Sequence, residues 1–160
     1  MSAPFRIGVG YDSHVFDPSR PLFLGGVEIP GAPGLRGHSD ADVLLHAAID
    51  ALFGAAGLPD IGAHFPDTDP RWKGADSARL LAACVSEIEA AGWRVGNIDA
   101  AVVAETPKLS PHLPAIRARM AGILHCPEDC VSVKGKTNEG MDDVGARVGI
   151  CVHAVALLVR

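Results

Sequence analysis

The sequence predicts an α/β fold of the α+β two-layer kind, a mixed β-sheet with helices packed on one face. Three observations lead there. Apolar runs with period-two alternation stand near both ends of the chain, in "FRIGVGY" and "VGICVHAVALLVR". Between them, "DADVLLHAAIDALFGAAG", "DSARLLAACVSEIEAA" and "LPAIRARMAGILH" carry apolar residues at helical spacing. The resulting order is strand, strand, helix, helix, strand, helix, strand, strand, an interleaving typical of layered sheets.

Phe5 to Tyr11 forms the first strand, which is expected to end there, leaving Asp12 and His14 just beyond it. Leu22 to Ile29 is a second extended segment, broken by Gly25-Gly26 and closed by Pro30. The turn-rich stretch "PGAPGLRGHSD" reads as a functional loop rather than a linker. Ser39 or Asp40 is the expected N-cap of the first helix. Val43, Ala47, Ala51 and Leu44, Ala48, Leu52 form its inward stripe, and Gly54 or Gly57 ends it. The loop "DIGAHFPDTDPRWKGAD" leads to a helix from about Asp76 to Ala91, stopped by Gly92. Asn97 to Glu105 is a buried strand opening into "TPKLSPH". After the third helix, "CVSVKGKT" and "VGICVHAVALLVR" supply the last two strands.

A chain of 160 residues and 16.6 kDa is expected to form a single domain over residues 1–160. At this length it can bury roughly 70% of its unfolded surface without a disulfide or structural metal. A net charge of −5 argues against nucleic acid as partner. No apolar run reaches membrane-spanning length, and "MSAPFRIGVG" lacks a signal-peptide pattern, so the expectation is a cytoplasmic protein without a membrane partner. Cys84, Cys126, Cys130 and Cys151 read as buried free thiols. "HCPEDC" holds three soft ligands, but no second Cys/His pair completes a zinc site.

Alternation puts Asp12 and His14 on one side of the chain, where they form either a polar corner or half of a metal site. His46, inside the first helix, is either a hydrogen-bonded core histidine or a third ligand. One Asp and two His with no fourth protein ligand describe a catalytic zinc with an open position. Asp42 either orients a ligand or faces solvent. His38 and Ser39, placed at the mouth of that helix, suit a phosphate, although Ser39 is equally a plain N-cap. Asp67 and Asp69, separated by Thr68, need a metal, hydroxyl donors or water, or else form an Asx-turn. Lys136, Thr137, Asn138 and Glu139 in "KGKTNEG" suit a diphosphate with a hard ion such as Mg2+.

With these blocks in view, "GYDSH", the run from His38 to Ser77, "NIDAAVVAETPKLSPH" and "VSVKGKTNEG" resemble the 2-C-methyl-D-erythritol 2,4-cyclodiphosphate synthases of the non-mevalonate isoprenoid route. The resemblance runs in order from about Arg6 onward. It implies cyclisation of 4-diphosphocytidyl-2-C-methyl-D-erythritol 2-phosphate with release of CMP. It implies Asp12, His14 and His46 as Zn2+ ligands, one ion per subunit, and Glu139 as a holder of Mg2+ or Mn2+. His38 and Thr137 match residues that stabilise the transition state, and Ser39 lies near the attacking phosphate. Asp60, Ile61, Gly62, Phe65, Pro66, Asp67, Thr68 and Asp69 match the part that holds methylerythritol. Ala104, Pro107, Lys108 and Leu109 match the cytidine pocket, and Ser13, Lys136 and Asn138 complete the implied substrate contacts. The family is homotrimeric, with active sites between subunits.

One stretch departs from the family pattern. "GMDDVGARVGI" puts Asp143 at an aromatic position, Ala146 where arginine is usual and Val148 where acid is common. Binding of a prenyl diphosphate at the trimer axis is therefore not carried over, whereas the catalytic set is. Two other readings stay beside the cyclase: a zinc-dependent hydrolase of a phosphorylated metabolite, which leaves "TPKLSPH" and "KGKTNE" without a role, and a non-enzymatic trimeric binding protein.

Overall fold

The computed structural model describes residues 3–160. The strands are β1 (Phe5–Asp17), β2 (Leu22–Leu24), β3 (Val27–Ile29), β4 (Gly34–Leu35), β5 (Arg94–Val103), β6 (Val131–Lys136) and β7 (Gly149–Val159). The helices are α1 (Val43–Ala56), α2 (Ile61–His64), α3 (Ser77–Ala90), α4 (Leu113–Leu124) and α5 (Asp142–Gly145). Five strands make one sheet in the order β4-β1-β7-β5-β6, with β5 and β6 parallel and every other pair antiparallel. The predicted mixed sheet is present. α1, α3 and α4 cover one of its faces, α1 lying across β1 and β7, α3 beside it, and α4 against β6.

The pleat decides which residues meet those helices. In β7, Ile150, Val152, Ala154, Ala156 and Leu158 are buried, whereas His153 and Val155 point to the open face. β1 obeys the same alternation with different chemistry. Gly8, Gly10, Asp12 and His14 share the helix side, while Ile7 and Val9, each 72% exposed, share the other with Tyr11 and Ser13. Opposite Gly8 and Gly10 stand Ala156 and Ala154 of β7. The helix above brings Ala47, Ala51 and Ala55, four residues apart and all buried. The seam is thus built from glycine and alanine, which allows backbone to rest on backbone. A Cβ on Gly10 would stand 1.9 Å from the carbonyl oxygen of Ala47, and one on Gly8 2.1 Å from that of Ala51.

Several boundaries differ from the sequence expectation. β1 continues past Tyr11 to Asp17, because β7 pairs with it in unbroken register from Phe5↔Val159 to Val15↔Gly149. Asp12 and His14 therefore lie within a strand, not beyond its end. The N-cap of α1 is Asp42, not Ser39 or Asp40, and its side chain accepts the N–H of Leu45 at 3.0 Å. Asp42 is fully buried rather than solvent-facing. The same carboxylate accepts the N–H groups of Gly25 at 2.9 Å and Gly26 at 2.7 Å, tying the β2–β3 hairpin to the helix start. Gly25 and Gly26 have φ of 65° and 75°, the left-handed pair that a two-residue hairpin turn requires. α1 ends on Gly57 at φ 75°, a glycine C-cap. The departing segment 140–148 folds into α5, where Asn138 Nδ2 donates to Asp142 at 2.6 Å.

Gly10→Ala is expected to destabilise the protein by about 1–3 kcal/mol, because the added methyl meets helix backbone that cannot rotate away. Urea denaturation of the two proteins side by side checks this, and equal midpoints would contradict the close packing of α1 on β1.

Candidate active site

Two residues of β1 and one of α1 converge at the end of the glycine–alanine seam. Asp12 Oδ2 lies 2.8 Å from His14 Nε2 and 3.1 Å from His46 Nδ1, and the two imidazole nitrogens are 3.4 Å apart. One ligand atom from each residue falls within 4.8 Å of the other two. Position follows from sequence: Asp12 and His14 continue the Gly8–Gly10 face of β1, and His46 immediately precedes Ala47, whose carbonyl touches Gly10. A metal fits this set. Two imidazole nitrogens and a carboxylate oxygen are usual zinc donors, and the non-ligating nitrogen of each histidine is already engaged. His14 Nδ1 donates to the carbonyl of Arg36 at 2.6 Å, and His46 Nε2 lies 2.9 Å from Ser77 Oγ.

The electrostatics of the metal-free cluster follow from these contacts. Burial alone would raise the carboxyl of Asp12, yet the charged forms of His14 and His46, which donate to it and carry positive charge, bring it down to about 2. His14 goes the other way. Burial lowers it, but Asp12 and the Arg36 carbonyl outweigh that and hold it above its ordinary value.

The cluster lines a cavity of about 470 Å³, whose wall also includes His38, Ser39, Ile61, Gly62, Phe65 and Asp67. His38 is exposed, but its backbone is pinned. Its carbonyl accepts the N–H of Gly74 at 2.8 Å, Arg20 donates to the carbonyl of Gly37 at 2.7 Å, and its second guanidinium nitrogen donates to that of Ser39. Asp60 caps α2 through the N–H of Ala63 at 2.9 Å, and Asp50 of α1 accepts the N–H of Ile61 at 2.8 Å, holding this wall to the helix. Asp69 is the Asx-turn acid, accepting the backbone N–H of Arg71 at 2.9 Å and its guanidinium at 2.6 Å. Those contacts hold its carboxyl below the ordinary value. Ser13, between the two β1 ligands, points to the opposite face.

A second cavity, of about 310 Å³, gathers Ala104, Pro107, Lys108, Leu109, Lys136 and Thr137 where β5 and β6 run parallel. No residue lines both cavities, so His38 and Thr137 are not brought together within the chain. Thr137 Oγ1 donates to Glu139 at 3.0 Å, and the N–H of Asn138 donates to Glu105 at 2.7 Å. Among the described residues Glu139 belongs to no cluster of three ligand atoms.

"HCPEDC" forms no such cluster either; His125 pairs with Glu89 at 2.9 Å. Cys84 is fully buried, and burial pushes its thiol far up, whereas Cys126, Cys130 and Cys151 are only partly buried. Sequence reasoning missed Asp40, Ser77, Arg20 and Trp72 around the first cavity. Only the "ADS" at the start of α3 signalled any of them, and it reads as an ordinary helix cap.

The sequence pattern of the YgbB family matches residues 5–159. The chain belongs to the YgbB family. Within that family it is 54% identical over 160 residues to the 2-C-methyl-D-erythritol 2,4-cyclodiphosphate synthase of Bordetella avium (strain 197N), covering 100% of this chain and 99% of that protein. A structure of 2C-methyl-D-erythritol-2,4-cyclodiphosphate synthase in its CDP-bound form superposes with a TM-score of 0.88 at 40% identity, over 96% of this chain and 99% of that one. The bifunctional IspDF from Campylobacter jejuni superposes with a TM-score of 0.94 at 39% identity, over 99% of this chain. The YgbB chain described here spans 43% of that longer protein.

In the metal-free protein, Asp12 contributes stability within a defined pH window. Its folded value of about 2 lies below the ordinary 3.8, so its contribution is fully present above about pH 4 and lost as pH falls toward 2. His14, raised in the folded protein, has the opposite sign: its contribution is present below its ordinary 6.5 and lost as pH rises through the folded value. Urea denaturation of chelator-treated wild type and Asp12→Asn should show a gap of about 2 kcal/mol near pH 5 that shrinks by more than half near pH 2.5. A pH-independent gap would contradict the Asp12–histidine contacts.

Proposed function

We propose that this protein cyclises 4-diphosphocytidyl-2-C-methyl-D-erythritol 2-phosphate to 2-C-methyl-D-erythritol 2,4-cyclodiphosphate with release of CMP, as a single cyclodiphosphate synthase domain over residues 1–160 in the cytoplasm. The observation that carries the reading is the convergence of Asp12, His14 and His46 on the floor of a cavity walled by His38 and Ser39. Full-length similarity to proteins named for that product, and to one captured with CDP, supports it.

The reaction needs little covalent help. The 2-phosphate is already ionised and attacks the β-phosphorus; a new P–O bond forms as the bond to CMP breaks. The barrier is the meeting of two anions, so charge and placement are what the protein supplies. Zn2+ held by Asp12, His14 and His46 would supply positive charge and Lewis acidity at the phosphate under attack. His38 and the Ser39 hydroxyl offer donors beside it. Ile61, Gly62, Phe65 and Asp67 line the side of the cavity that would face the methylerythritol hydroxyls, and Asp60, Pro66, Thr68 and Asp69 adjoin them along the same segment. Ala104, Pro107, Lys108 and Leu109 would take the base and ribose, with Lys136, Thr137 and Asn138 on the diphosphate. Glu139 would offer one carboxylate toward Mg2+ or Mn2+, a hard ion that would offset diphosphate charge.

The two halves of this machinery occupy separate cavities of one chain, which supports a homotrimer with each active site between subunits. The open face of the sheet supplies the contact surface. Phe5, Ile7, Val9 and Tyr11 of β1 and Val155 of β7 are 50% exposed or more on that face.

Phosphorus NMR on the zinc- and magnesium-supplied protein should show CMP and cyclic diphosphate in equal amounts, with His46→Ala losing both zinc and turnover. Linear phosphate products would point to a hydrolase, and no turnover to a binding protein. Mixing two inactive variants, His46→Ala and Thr137→Ala, should restore about a quarter of wild-type turnover by random association of subunits. No recovery after exchange of subunits would overturn the shared site.

A further inference from the structure

The far side of His46 carries a chain of hydrogen bonds that the proposed chemistry does not use. His46 Nε2 lies 2.9 Å from Ser77 Oγ, and Ser77 Oγ donates to Asp40 Oδ1. Ser77 is fully buried at the first position of α3, so its hydroxyl has no water to satisfy it. Asp40 is fixed from two further directions: its Oδ2 accepts the backbone N–H of Ser77 at 3.0 Å, and its Oδ1 that of Asp42 at 3.2 Å. The turn between Asp40 and Asp42 places Ala41 at φ 58°, a conformation that residues with a side chain rarely adopt.

The direction of this chain follows from its end. The Ser77 proton goes to Asp40, so the Ser77 oxygen is left to receive, with His46 Nε2 at 2.9 Å closer to it than the Ser39 hydroxyl at 3.4 Å. Ser39 Oγ, 3.2 Å from the same nitrogen, already accepts the N–H of Ala41 and adds a second oxygen facing Nε2. On the opposite side Asp12 Oδ2, 3.1 Å from Nδ1, competes for the same imidazole proton. Nε2 has the shorter contact, 2.9 Å to Ser77, and two oxygens before it, whereas Asp12 Oδ2 already has His14 at 2.8 Å, so the geometry favours the proton on Nε2.

We propose that Ser77 and Asp40 are positioning residues that hold His46 as the Nε2–H tautomer, keeping the Nδ1 lone pair bare toward Asp12 and His14. The inference rests on the reading of those three residues as a metal centre. It assigns a task to the buried Ser77 and its half-buried partner Asp40, which join the start of α3 to the metal helix. His14 is oriented by a backbone carbonyl, a fixed acceptor that mutation cannot remove. His46 depends on side chains, and its ligand state is therefore the mutable one.

The test uses the metal-free full chain, with 15N shifts of the imidazole nitrogens recorded where the ring is neutral. Wild type should show His46 protonated at Nε2. Ser77→Ala should shift the population toward Nδ1–H and weaken zinc binding about 10- to 100-fold in chelator competition. Asp40→Asn, which keeps the size but ends the acceptor-only terminus, should move both readouts the same way and carries the test should Ser77→Ala fail to fold. An unchanged tautomer in the folded variants, or zinc affinity within about twofold of wild type, overturns the inference. If wild type takes up no zinc, the metal-centre reading falls, and the tautomer measurement alone decides the role of Ser77 and Asp40.

Discussion

Everything at the site depends on how closely α1 can lie on β1. The strand presents Gly8 and Gly10 and the helix presents Ala47, Ala51 and Ala55, so the two backbones meet without side chains between them. His46 belongs to the turn of helix that touches Gly10, and Asp12 is the next residue on the same strand face. Metal–ligand distances tolerate about 0.2 Å, much less than the displacement that one methyl would impose. The seam is therefore a ruler for the site as well as part of the core.

Around that contact the site is assembled mostly by main-chain groups. Asp42 gathers three amides, Asp50 and Asp60 hold α2, and Arg20 grips the carbonyls on either side of His38. Acids that look surplus in a chain of net charge −5 are thus spent on anchoring loops. The depressed Asp12 and raised His14 are two sides of one contact, the carboxylate stabilised by what it stabilises.

Much of this was legible in the sequence because it is periodic or local. Alternation in β1 and β7, the helical stripe of α1 and the Gly25-Gly26 break each announce themselves within a few residues. The same alternation put Asp12 and His14 on one side although the strand end was misplaced. The end of β1 was hidden because β7, more than 130 residues away in sequence, decides how far β1 stays extended. The helix cap was misassigned because "SDAD" offers three capping residues in a row, and only the hairpin amides select Asp42. Ser77 could not be found at all. Its significance lies in a contact 31 residues from His46, and a serine after an aspartate at a helix start is locally unremarkable. The separation of the two cavities was equally invisible, since no local pattern reports the distance between loops.

The pairing of β1 with β7 also has a bearing on how the protein comes into being. Among the described elements β1 is the first to leave the ribosome and β7 the last, yet they are neighbours at the heart of the sheet along eleven residue pairs. Through most of synthesis, the strand that carries Asp12 and His14 has only the two residue pairs of β4 to lean on. Its long, two-sided hydrogen-bonding edge stays open until β7 arrives, a delay inherent in pairings between distant parts of a chain. Gly8 and Gly10, which the finished fold needs for close packing, leave the register of the waiting strand weakly specified, because glycine-rich strands slip readily. The residues that let the helix approach thus depend on the late arrival of β7 to fix where they stand.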